Sequence, residues 1–179
     1  MDFLRGDWAV QREIRDWRAD QAGEFCGTAR FRPTADGRVL DYAEDGELHF
    51  GSHRGPARRR LLYCGRSDGG VDVRFADGRE FYRLDLRPGT WEADHPCRAD
   101  RYHATFSRLS ADAFTETWQV AGPDKDYELR TVYRRAGGVC SRDSVLAGET
   151  PLAPAADGGA VAERSAGAVG SQPFPSETA

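Results

Sequence analysis

Through most of the first 135 residues, apolar side chains recur at every second position, and short polar clusters interrupt the pattern. Period two is the signature of a strand with one buried face. Trp8, Val10, Arg12 and Ile14 share one side of residues 8–17, and Phe25, Ala29 and Phe31 share one side of 23–33. Similar runs cover 38–44, 58–64, 70–76, 79–87, 101–109, 112–122 and 126–135, with shorter candidates near 47–50 and 91–95. Asp77-Gly78 lies between two alternating runs and predicts a hairpin with a two-residue link. One helical turn is expected at "DFLRG" (2–6). The pattern predicts an all-β fold: an up-and-down antiparallel β-barrel of about nine or ten strands, whose closure removes exposed edges. A sandwich with a filled core is the structural alternative.

From about residue 143 the pattern stops. The segment "LAGETPLAPAADGGAVAERSAGAVGSQPFPSETA" is Ala, Gly, Pro and Ser with scattered charge. It holds too little apolar surface to offset the entropy of ordering it. The expected organisation is a barrel domain at 1–142 and a disordered tail at 143–179.

Composition narrows the function classes. The chain has 179 residues, 39% hydrophobic and 30% charged, with a net charge of -4. That balance argues against a nucleic-acid partner. No run is long enough for a membrane helix, and "MDFLRGDWAVQ" has neither a basic leader nor an apolar core, so no signal peptide is expected. Cys26, Cys64, Cys97 and Cys140 form no C-x-x-C pair, which predicts free thiols and a cytoplasmic location. No Walker, Rossmann, H-E-x-x-H or G-x-S-x-G motif occurs, and no cofactor or metal is expected.

The alternation places three charged residues on apolar faces: Arg12, Glu44 and Glu116. Buried charges must pair, bind a ligand or neutralise. Arg12 with Glu44 or Glu116 is a plausible internal pair that fixes register; alternatively, the planar donors of Arg12 form a fork for a ligand carboxylate or phenolate. The basic run "PARRRL" (56–61) reads as a solvated patch. Lys125, the only lysine, is either a loop charge or a cation at a pocket mouth. In "DHPCRADRY" (94–102), Pro96 marks an edge or a turn. His95 and Cys97 lack the further paired ligands of a zinc site. The bland reading is a turn braced by Asp100 that feeds Tyr102 into a strand; the functional one puts His95 at a barrel rim, beside an apolar wall of Tyr102 and Trp118.

The strings "FLRGDWAVQREI", "YAEDGEL", "FADGREFYRLDL", "DHPCRADRY" and "TWQVAGPDKDYELRTVYRR" resemble the family known as domain of unknown function 6314, over roughly residues 3–135. Gly-x-Trp opening the first strand also resembles the calycin superfamily of lipocalins and fatty-acid-binding proteins. That resemblance implies that Trp8 packs in the closed end of a barrel, covered by Arg130 or Arg134 from the last strand. A His often stands in the family at the position of Tyr82, where this chain departs.

The leading expectation is small-molecule binding in an internal cavity, with a partly apolar ligand and an anionic group as an option. Arg12, Tyr42, Glu44, His95, Tyr102, Glu116, Trp118 and Lys125 are the candidate binding residues. A second reading makes the cavity a cofactor-free isomerase, cyclase or hydratase site, with His95 and Glu44 as acid and base. A third is an interaction module with a filled barrel. Haem on His49, His53, His95 or His103 is a minor variant.

Overall fold

The structure, a computed structural model, describes residues 1–135; the tail expected at 143–179 and the domain boundary before it lie outside the described residues. Ten strands follow one another: β1 Gly6–Asp16, β2 Gln21–Pro33, β3 Val39–Phe50, β4 His53–Gly65, β5 Val71–Phe75, β6 Glu80–Leu84, β7 Thr90–Cys97, β8 Asp100–Arg108, β9 Ala113–Ala121 and β10 Asp126–Arg135. All pairings are antiparallel, and the ladder runs β6-β5-β4-β3-β2-β1-β10-β9-β8-β7. This is the expected up-and-down, all-β arrangement, rolled into a nearly closed barrel. The candidate at 47–50 is the second half of β3, and β4 begins five residues before the run read from the sequence. Gly46 and Gly55 interrupt the alternation there without interrupting the ladder.

β6 and β7 meet without a backbone ladder. The seam is bridged by Trp91 Nε1, which donates to the Arg83 carbonyl at 2.9 Å, and by a hydrogen bond between the His95 ring and the Phe81 backbone. Trp91→Phe deletes the first bridge and should cost about 1 kcal/mol. Hydrogen exchange should then quicken in β6 and β7 and stay unchanged in β1 and β10.

The inner face is the one the alternation marks. Trp8, Val10, Arg12 and Ile14 of β1 are buried, as are Tyr127, Leu129, Thr131 and Tyr133 of β10. Gly27 and Gly46 sit opposite each other across β2 and β3. A Cβ on Gly46 would lie 2.4 Å from the Cys26 carbonyl and 2.6 Å from the Phe25 ring, so only glycine allows the two strands to bend this tightly beneath that ring. In β6 both Phe81 and Tyr82 are buried. The register shifts beside them, where Val73 pairs Tyr82 and Arg74 pairs Glu80; such a bulge turns two consecutive side chains toward one face.

Trp8 closes one end. It is fully buried and donates from Nε1 to the Leu4 carbonyl at 2.7 Å, within the single N-terminal turn. The residue covering its ring is Arg135, at 4.0 Å, not Arg130 or Arg134. The register explains the correction: Trp8 pairs with Arg135, while Arg134 pairs with Ala9 and is exposed, and Arg130 lies outside, bonded to Glu128. The Asp77-Gly78 hairpin exists, but its strands end at Phe75 and Glu80, so four residues connect them; the Asp77 carboxylate accepts the Arg79 amide and stabilises the wider turn. Cys64 and Cys97 are free. Cys26 is disulfide-bonded, against the expectation of free thiols; it alternates with the buried Phe25 along β2.

Candidate functional site

The barrel interior contains a hydrogen-bonded polar cluster within an aromatic shell. Arg12 donates from Nη1 and Nη2 to the two oxygens of Glu44, both at 2.8 Å, and from Nε to Thr131 Oγ1 at 2.8 Å. Strand pairing sets this up: Arg12 faces Thr131 directly across β1 and β10, and Glu44 reaches over from β3. Arg12 and Glu44 are 1% and 3% exposed. Burial alone would push the Glu44 carboxyl up, but the Arg12 guanidinium outweighs it and holds the group down to about 2. Tyr42 completes the shell, donating to Glu44 Oε2 at 2.5 Å.

The network continues. Tyr42 and Tyr133 hydroxyls are 3.3 Å apart, and Tyr133 donates to Glu116 Oε2 at 2.9 Å. Trp118 Nε1 donates to Glu116 Oε1. Five of the sequence candidates, Arg12, Tyr42, Glu44, Glu116 and Trp118, thus form one cluster, joined through Tyr133.

Four residues absent from the sequence candidates extend it. Tyr63 and Tyr82 hydroxyls pair at 3.3 Å. Phe81 stacks on Trp118 with centroids 5.2 Å apart and planes 3° from parallel. Arg59 lies with its guanidinium 5.9 Å from the Phe81 ring centroid. It belongs to the inward side of β4, in phase with buried Leu61 and Tyr63, so "PARRRL" is not uniformly a solvated patch. Among the described residues the Arg59 guanidinium has no hydrogen bond or ion pair; Glu116, Tyr42 and Glu44 act on it only through longer-range attraction, which outweighs burial and raises its pKa. The side chain is set deep in the barrel yet keeps accessible surface. The parity of Leu61 and Tyr63, counted back to Arg59, was the available sequence signal.

The remaining candidates lie toward the opposite end from Trp8. Lys125 Nζ bonds Asp100 Oδ2 at 2.7 Å and Tyr102 Oη at 2.8 Å; it ties the β9–β10 turn to β8. Asp100 therefore braces β8 through Lys125. His95 stands inward on β7, its ring 5.1 Å from Phe81 and 5.9 Å from Tyr102. Burial lowers its pKa, against the hydrogen bond to the Phe81 backbone. "DHPCRADRY" is a hairpin, with Cys97 paired to Asp100 and Arg98 at φ 58°, and Pro96 occurs on a strand that pairs on one side only. No hydrogen bond among the described residues joins His95 to Glu44.

The profile of the "Family of unknown function (DUF6314)" matches residues 4–135. The chain belongs to this family. The family description specifies no activity. No curated protein matches the chain. Among solved structures, the S-type phycobiliprotein lyase CPES from Guillardia theta superposes with a TM-score of 0.55 at 9% identity, covering 77% of this chain and 91% of the lyase. The redesigned β-barrel mFAP0 bound to DFHBI gives a TM-score of 0.41 at 16% identity, over 74% of this chain and 99% of that one. A de novo designed fluorescence-activating β-barrel gives 0.41 at 17%, over 75% and 94%. The lyase likeness shows a shared barrel fold, and a fold by itself assigns no chemistry.

Proposed function

We propose that this DUF6314 chain is a calycin-like barrel that binds a small, partly apolar molecule in its interior. The observation that carries the reading is Arg59: a cation inside an aromatic shell, with accessible surface and no hydrogen-bonded partner among the described residues. A barrel that served only as a packed scaffold would gain nothing from such a group, because a desolvated charge is costly unless something pairs with it. Ligand sites combine apolar walls with a few placed polar groups, and Phe81, Trp118, Tyr63 and Tyr82 around Arg59 provide both.

The catalytic alternative has less physical support. A general base needs an available lone pair and a pKa near the working pH. Glu44 is fixed in place by Arg12 and Tyr42, and the guanidinium holds its pKa down to about 2, too low for a base working near neutral pH. Native mass spectrometry of the protein purified without denaturation is expected to show a non-covalent adduct of small-molecule mass. The adduct should be lost in Trp118→Ala. An adduct-free protein that also fails to bind planar aromatic probes would overturn the proposal.

A further inference from the structure

The interior has a charge balance that constrains the ligand. Arg12 and Glu44 form a closed, doubly hydrogen-bonded pair. The other two charges, Arg59 and Glu116, do not touch. Glu116 is held by Tyr133 on one oxygen and by Trp118 on the other, both neutral donors. Glu116 is nevertheless the strongest electrostatic partner of Arg59, and it also acts on Tyr63 and Tyr82. The pair is therefore split. One side presents guanidinium donors, the other a carboxylate with lone pairs to spare, since each oxygen accepts two hydrogen bonds. The Tyr63–Tyr82 hydroxyl pair and the stacked Phe81 and Trp118 rings adjoin it.

Resting on the ligand-binding reading above, we infer that the split pair Arg59–Glu116 is the recognition slot, and that it selects a neutral planar aromatic molecule carrying an acceptor and an N–H or O–H donor side by side, as in an amide or lactam. The carbonyl accepts from Arg59 and the N–H donates to Glu116. Two cations and two carboxylates already sum to zero. A ligand carboxylate would add an uncompensated charge to this interior and face Glu116, both unfavourable. A ligand with an acceptor alone would leave Glu116 without its added donor. Sites built for paired hydrogen bonds discriminate strongly against analogues lacking one of them.

The test uses three probes of equal size: 2-naphthamide, 2-naphthoate and 2-acetonaphthone, titrated at pH 7 by calorimetry into the full chain. The wild type should bind the amide at least ~10-fold tighter than the carboxylate, with the ketone between them. Glu116→Gln removes one negative charge and should raise naphthoate affinity at least ~10-fold, reversing the order. Arg59→Gln leaves an excess negative charge and should weaken naphthoate at least ~10-fold more than the amide. Arg60→Gln, on the exposed side of β4, should change nothing. A wild type that prefers naphthoate, or an amide-to-carboxylate ratio unmoved by Arg59→Gln, overturns the slot while ligand binding stands. If none of the three probes binds the wild type, the slot falls; the ligand-binding reading falls with it only if native mass spectrometry also shows the purified protein free of adduct. Should Glu116→Gln fail to fold by circular dichroism, the Arg59→Gln ratio alone decides, because that side chain makes no hydrogen bond whose loss would unfold the barrel.

Discussion

Glu44→Leu should destabilise the barrel by about 3–5 kcal/mol, the range for stranding one member of a buried ion pair. The residue at risk is Arg12. Its guanidinium is fully desolvated, and Glu44 receives two of its hydrogen bonds; of the three contacts described above, only that to Thr131 would remain. Arg12→Met in the same chain should recover most of the loss, since replacing both partners with apolar groups of similar volume is often close to neutral. Chemical denaturation of the two singles and the double gives the three free energies, and a double variant no more stable than Glu44→Leu would show that the pair is not the source of the loss.

The same pair predicts an acid limb. The ordinary Glu value of 4.5 falls to about 2 in the fold. A group whose folded pKa is depressed stabilises the fold above its unfolded pKa, and that stability disappears as pH falls through the folded one. Glu44 should thus contribute fully above about pH 5 and progressively less down to pH 2, for a total of about 3 kcal/mol by linkage. Exposed Asp7, Asp36, Asp68 and Asp77 and the partly buried Asp85 are also shifted down, so the wild-type curve mixes several groups. The difference between wild type and the Arg12→Met, Glu44→Leu double isolates the pair: as pH falls from 5 to 2 the wild type should lose about 3 kcal/mol relative to the double, which becomes the more stable of the two.

Residue parity made much of this architecture legible. Counting from Trp8, Phe114 and Tyr127 assigned Arg12, Glu116 and Thr131 to the inner face, and they are buried there. Parity is a local property, so it could not say which inward residues meet across strands far apart in the ladder. Arg12 and Glu44 meet because β1 and β3 flank the same bend at Gly27 and Gly46. Arg59 escaped because three consecutive arginines read as surface, although only the middle one lies in phase with Leu61 and Tyr63. Phe81 escaped for the opposite reason: a bulge suspends parity, and strict alternation admits only one of Phe81 and Tyr82. Arg135 rather than Arg134 over Trp8 is a one-residue register difference, which turn lengths decide.

Trp8→Ala should be the most damaging apolar truncation, costing about 3–5 kcal/mol. The side chain is fully buried and meets Phe3 at 5.5 Å and Phe114 at 5.0 Å between ring centroids, both edge-on. Arg135 lies over its face and donates to the Phe3 carbonyl at 2.6 Å and to the Arg5 carbonyl. Removing the indole therefore leaves a cavity and also the Leu4 carbonyl without its donor, and it takes away the surface that holds Arg135 over the N-terminal turn. Trp8→Phe separates these contributions. It keeps most of the packing, loses the 2.7 Å hydrogen bond to Leu4, and should cost about 1–2 kcal/mol. Hydrogen exchange should show the amides of Leu4 and Arg5, which bond Met1 and Asp2, losing protection first in both variants, with β3 and β4 unaffected in Trp8→Phe. Loss of the turn with no change in global stability would mean that Trp8 only anchors the N-terminus; loss of both in proportion would mean that it seals the end of the barrel and belongs to its cooperative core.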